Sequence, residues 1–350
     1  MNTQVITAPG GTLSPAMFDA KFAAFSGPSF KTFEQLVILL LGRPNAGKSS
    51  LITQIEDSVT LNFDLSKAPV RTAIPSAVQF NFAAIAPPQW WSTVMSFVEA
   101  MEMRGQPNCP AWVPRVKTVT IDTLSSFAMV ATDEVLRVWL RNSESSSWRE
   151  TNPNTTPQIK FIGTKGDGYG RVYGLVELVL RRLARCGVGV VVCDYLIDNV
   201  TENAKGEKVR TEELSIPNGM MPFFRTACDL ILCMRTEVTQ DWAEGDRIPM
   251  KTPTGEPVVD AISKLPRYTT RPGAKPITTP VRVLTTDYDI GYSTADQVNP
   301  KFRVPMPPKI TLKSGPDRQP APGNWSLVRD AYNTAVRAIQ HPAPQGGATG

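Results

Sequence analysis

Apolar and polar positions divide the chain into short unbroken apolar runs and longer stretches of helical period. Residues 36–41 (Leu36, Val37, Ile38, Leu39, Leu40, Leu41), 188–193 and 229–234 are apolar at nearly every position, the pattern of strands buried on both faces. Residues 58–63 and 118–122 read as further strands, and 77–82 alternates as a half-buried strand does. Helical spacing recurs in 90–103 (Trp91, Val94, Met95, Val98), in 171–186 (Val172, Leu175, Val176, Val179, Leu183) and in 325–340 (Trp325, Val328, Ala331, Tyr332, Ala335, Ile339). Strand runs separated by such helices predict an α/β fold, a mostly parallel central sheet flanked by helices.

The layout expected from these patterns is an N-terminal arm over 1–30, a core over 31–312, and a linker, helix and disordered tail over 313–350. In the arm, Phe18, Phe22 and Phe25 share one helical face, which suits packing on its own core as well as docking on a neighbouring subunit. The terminal helix has the same two options. Proline, 31 residues in all, concentrates in 249–280 and 300–344, and 241–280 reads as a hairpin or insertion returning to a strand at 281–285. Two long polar stretches, 142–170 and 198–225, separate the later elements. Structureless connections of that length in a compact domain are usually functional or disordered.

Composition narrows the chemistry. Five cysteines form no C-x-x-C pair and the one histidine, His341, lies near the end, so the sequence offers neither a zinc site nor a histidine-dependent triad. A net charge of +5 permits a polyanionic partner without demanding one. No run reaches membrane-spanning length and no basic-then-apolar leader opens the chain, which predicts no membrane association and a reducing cytoplasm.

The densest signal is Gly42-Arg43-Pro44-Asn45-Ala46-Gly47-Lys48-Ser49, which fits G-x-x-x-x-G-K-[ST] between an apolar strand and a helix start expected over 49–55. Glycines at both ends let successive backbone N–H groups converge on phosphate oxygens, and the helix start adds its positive end. Gly42, Arg43, Pro44, Asn45, Ala46, Gly47, Lys48, Ser49 and Ser50 are therefore expected to wrap ATP, with Lys48 on the β- and γ-phosphates and Ser49 on Mg²⁺. Asp122 closes the strand at 118–122, where a carboxylate steadies the metal shell; the alternative is an N-cap for the following helix. Thr123, not Glu, follows it, so a general base must come from elsewhere.

Taken with the order of elements, the G-x-P-x-x-G-K-S reading of Gly42, Pro44, Gly47, Lys48 and Ser49 resembles the RecA-like ATPase core, most closely the single-domain, phage-type recombinases of the Sak kind, over about residues 36–312. The resemblance implies an ATP-hydrolysing, DNA-binding protein of phage recombination or replication acting on single strands. It implies homo-oligomers, a single-strand-binding protein as a further partner, and the host cytoplasm as location. The stretches 142–170 and 198–225 fall where that family holds DNA. Lys205, Lys208, Arg210 and Arg225 would meet phosphates there and Phe223 or Phe224 would stack on bases, although ordinary solvated connections fit the same residues. By the same resemblance Asp64 is the candidate base, in place of the family's usual Glu. Asp194 stands where a polar γ-phosphate sensor is expected, and Lys301-Phe302-Arg303 looks like a K-x-R finger aimed at a neighbour's nucleotide. Two exposed cations on an edge strand would read the same way. Since an Asp at position 194 repels a γ-phosphate, a nucleotide-gated assembly module with little turnover is the alternative function, and a helicase or packaging motor a third.

Overall fold

The computed structural model describes residues 31–63, 76–163, 166–202, 208–215, 220, 223–224, 227–241, 247–260, 267–271, 277–286, 306–315 and 321–341. The chain divides into Met1–Thr32 and Phe33–Gly350, and every element below belongs to the second unit. The expected arm helix with Phe18, Phe22 and Phe25 lies outside the described residues, as do Asp64, Lys205, Arg225, Lys301 and Arg303.

The strands are β1 (Val37–Gly42), β2 (Ser58–Asn62), β3 (Val78–Asn81), β4 (Thr118–Asp122), β5 (Gly189–Glu202), β6 (Lys208–Leu214), β7 (Leu230–Asp241), β8 (Arg247–Pro249), β9 (Tyr268–Thr270), β10 (Ile277–Thr285) and β11 (Lys309–Thr311). The helices are α1 (Lys48–Ile52), α2 (Trp90–Glu102), α3 (Leu124–Arg141), α4 (Ser146–Thr151), α5 (Asp167–Arg185) and α6 (Asn324–Gln340). The main sheet runs β11-β10-β7-β1-β5-β4-β2-β3, with β6 pairing β5. From β7 to β3 every pairing is parallel, whereas β10, β11 and β6 are antiparallel additions. One strand, β5, therefore separates the glycine-loop strand β1 from the Asp122 strand β4.

Alternation sorts the sheet into two faces. Val37, Leu39, Leu41, Val119, Ile121, Val190 and Val192 join one core with the buried sides of α2 (Val94, Val98, Met101), α3 (Phe127, Val130, Trp139) and α5 (Val172, Val176, Val179, Leu183). The intervening Ile38, Leu40, Val191, Cys193 and Leu232 are also buried, facing α1 and α6. Central parallel strands covered on both sides need such unbroken apolar runs. Helix α6 settles the two options left open for it: Trp325 and Tyr332 pack on Phe33 at ring-centroid distances of 5.6 and 5.7 Å, and the Asn324 backbone N–H donates to Gln54 Oε1. It belongs to its own core.

Two polar stretches turn out to be structured. Residues 143–151 form a 3₁₀ turn and α4, whose Trp148 packs against Trp139 and Phe161 at 5.3 and 5.1 Å. The strand expected to end at Cys193 continues to Glu202 and returns as β6, so the start of 198–225 is a β-hairpin. Farther on, β7 and β10 form a long antiparallel pair with the small β8–β9 sheet inserted between them. No helix among the described residues is long and apolar enough to cross a membrane.

Candidate nucleotide site

The glycine loop leaves β1 at the carboxyl edge of the sheet, beside β5 and β7. Gly42 must be glycine: a Cβ there would stand 2.8 Å from the Met234 carbonyl oxygen. Asn45 (φ 63°) and Gly47 (φ 103°) take left-handed conformations, and the Ala46 N–H donates to Arg43 O at 3.2 Å, curling the loop into a concavity. Gly47 precedes α1, which starts at Lys48, one residue before the expected position.

Lys48 is buried. Its Nζ donates to Gly42 O (2.7 Å) and Arg43 O (3.0 Å) and lies 4.4 Å from the centre of the Tyr195 ring. Ser49 Oγ donates to Asp122 Oδ2 at 2.7 Å, joining two residues 73 apart in sequence. Asp122 is the last residue of β4, with Asn62 of β2 opposite it in register and also buried. Thr123, rather than Asp122, caps α3 by accepting the Ser126 N–H, so the capping alternative for Asp122 fails and its carboxylate is directed to Ser49. Ser50 supplies its carbonyl to Thr53 and Gln54 in the turn behind the loop.

These residues fit a magnesium-bound triphosphate. A hydroxyl touching a carboxylate is the hard-oxygen pair Mg²⁺ takes, and the left-handed backbone beside a lysine is an anion cradle. Ser49 and Asp122 would hold the ion, directly or through water, and Gly42 to Ser50 the phosphates. Such an ion supplies neutralisation of phosphate charge.

Asp194 departs from its expected place. In β5, Cys193 and Tyr195 face the Lys48 side, and Asp194 between them points to the opposite face, where its Oδ1 accepts the Ser125 N–H at 3.4 Å at the start of α3. The side chain is fully buried, and Oδ2 and Ser215 Oγ have no partner in hydrogen-bond geometry among the described residues. Burial pushes the carboxyl pKa up; the nearby Ser215 hydroxyl, the Tyr195 and Ser125 N–H groups and the Ser125 hydroxyl oppose the shift without cancelling it. The neighbouring Cys193 thiol is pushed well above its usual range by burial. Strand period alone explains the correction: the residue aimed at the lysine is Tyr195, not Asp194.

The expected stacking residues are also placed differently. Phe223 and Phe224 are core residues, packed edge to face at 5.1 Å, with the Arg181 guanidinium over the Phe223 ring. Neither ring is offered to a base. Lys208 and Arg210 sit on β6, opposite Glu202 and Val200 of β5. One residue escaped the sequence reading altogether: Arg282 of β10, whose Nε donates to Ala46 O at 2.8 Å.

No curated protein sequence matches the chain. Residues 34–261, more than half of the chain, match the family described as an AAA domain. With the glycine loop, the Ser49–Asp122 pair and the mostly parallel sheet already in place, that match makes the chain a member of the AAA-domain family of P-loop ATPases.

Proposed function

We propose that the protein binds and hydrolyses ATP with Mg²⁺ and couples this to single-stranded DNA, as an oligomeric protein of phage recombination or replication of the Sak type. The observation that carries the coupling is the continuity of β5. The same strand that sets Tyr195 beside Lys48 runs without a break into the β5–β6 hairpin, where Lys208 and Arg210 lie. A ligand acting at Lys48 and a strand acting at the hairpin would pull on one rigid element. In this reading Asp122 orders the metal shell, Asp64 is the base, and Lys301 or Arg303 acts from the neighbouring subunit.

A second reading, a nucleotide-gated module with little turnover, rests on Thr123 standing where a catalytic Glu would follow Asp122. The repulsion expected from Asp194 no longer supports it, because that carboxylate faces α3. Steady-state ATP turnover with and without single-stranded DNA separates the two. We expect DNA to stimulate the parent protein, and Lys48→Ala to lower turnover at least about a hundredfold. DNA binding gated by ATP without turnover would favour the second reading, and turnover unchanged in Lys48→Ala would overturn both.

A further inference from the structure

Arg282 and Ala46 are 236 residues apart, yet they meet because of sheet register. On β10, Arg282 is opposite Thr236 of β7, two residues along from the Leu284–Met234 pair, and Met234 is opposite Gly42 of β1. Side chains two apart on a strand share a face, so Arg282 projects over the same side of the sheet as the loop. Arg282 is half-buried, and among the described residues it has no carboxylate partner. Burial lowers its pKa from the ordinary arginine value. The hydrogen bond to Ala46 O is what it makes in return.

The Ala46–Gly47 peptide is trans, since the cis bond of the described chain is Asp122–Thr123. In a trans peptide the C=O and N–H lie in one plane and point in opposite directions. A donor that holds Ala46 O toward β10 therefore turns the Gly47 N–H away from β10, into the concavity shaped by Asn45 and Gly47. We infer that Arg282 is a positioning residue of the nucleotide site, fixing the plane of the Ala46–Gly47 peptide so that the Gly47 N–H is set for a phosphate oxygen before the ligand arrives. This rests on the nucleotide reading of the loop. A loop that must reorient that peptide on binding holds a triphosphate more weakly, because part of the interaction is spent on ordering.

The test uses the full chain, a fluorescent ATP analogue with Mg²⁺, and three variants. Arg282→Met keeps the aliphatic stem and removes every donor, and Arg282→Gln is a second donor-poor variant should the first not fold. Arg282→Lys restores a charged donor. Ala46–Gly47 is the only Ala-Gly dipeptide in the sequence, so carbonyl-¹³C alanine with ¹⁵N glycine gives one NMR cross-peak for this peptide. Expected is a dissociation constant raised at least about tenfold in Arg282→Met or Arg282→Gln. Partial recovery in Arg282→Lys is expected too, with the cross-peak displaced in the nucleotide-free donor-poor variant and the thermal midpoint near that of the parent. A folded donor-poor variant that binds as tightly as the parent, or whose cross-peak does not move, overturns the inference. A parent that binds no analogue, or a Lys48→Ala variant that binds as well as the parent, instead removes the nucleotide reading and this inference with it.

Discussion

Asp194 shows how one residue of strand period decides a role. Turned away from Lys48, its carboxyl is a buried acid with one oxygen lacking a partner in hydrogen-bond geometry and a pKa raised by desolvation. A carboxyl whose folded pKa lies above its unfolded value binds more protons when folded. Its neutral form therefore favours the fold below the unfolded pKa, about 4, and that advantage is lost as pH rises through the folded value. Asp194→Asn, neutral at every pH, should accordingly raise the thermal midpoint at pH 8, with the gain shrinking toward zero as the pH approaches 4. A variant less stable than the parent at pH 8 would show that the ionised carboxylate is held by groups stronger than Ser125 and Ser215. At this scale much of the site was legible, because Lys48, Ser49 and Asp122 announce themselves by local spacing. Tyr195 was within reach, since carrying the period of 188–193 two residues further points it at the lysine. Arg282 was not: Val-Arg-Val on a strand gives no sign of a carbonyl 236 residues away.

Among the elements, the β5–β6 hairpin carries the proposed DNA contact. Lys208→Glu with Arg210→Glu should weaken single-stranded DNA binding. Since each phosphate contact on a single strand contributes about 0.7 to the slope through counterion release, losing two should flatten the slope of log affinity against log salt by roughly 1.4. Undiminished affinity and an unchanged slope, measured by fluorescence anisotropy at several salt concentrations, would place the DNA elsewhere. The hairpin was hidden in the sequence because its residues are polar and lack strand alternation. Their order comes from pairing seven successive positions, Leu196–Leu214 to Glu202–Lys208, and a ladder between polar strands leaves no apolar pattern. Helix α4 escaped for a related reason. Its serines resemble a loop, and what docks it is Trp148 against Trp139 and Phe161, with Arg149 donating to the Leu140 carbonyl of α3. Phe223 and Phe224 erred the other way: aromatic residues in a polar stretch suggested a surface role, when burial of so much apolar area is the commoner use of such rings.

For the whole molecule, a mostly parallel sheet covered on both sides follows from unbroken apolar runs that only such a sheet can bury, and this part of the fold was plain from sequence. Which strands neighbour β1 was not, for every run of that kind is equally apolar. The proposed oligomer has its own test. If Arg303 works on a neighbour's nucleotide, Arg303→Ala should lose on the order of a thousandfold in turnover while keeping nucleotide affinity. Mixing it with Lys48→Ala should restore part of the activity, because some interfaces then pair an intact loop with an intact arginine. No recovery on mixing, or unimpaired turnover in Arg303→Ala alone, would discard an arginine acting between subunits.

The placement of β1 has a bearing on how the protein is made. Both of its flanking partners, β5 and β7, come from residues 189 onward, although β1 itself is over by Gly42. A ribosome therefore releases the glycine loop long before anything exists to hold its strand in register. Capture of a triphosphate waits until β7 has emerged, and Arg282 arrives later still. In the interval, the apolar run from Leu36 to Leu41 lacks both of the strands that flank it in the finished sheet, which makes it the stretch most in need of shelter from aggregation.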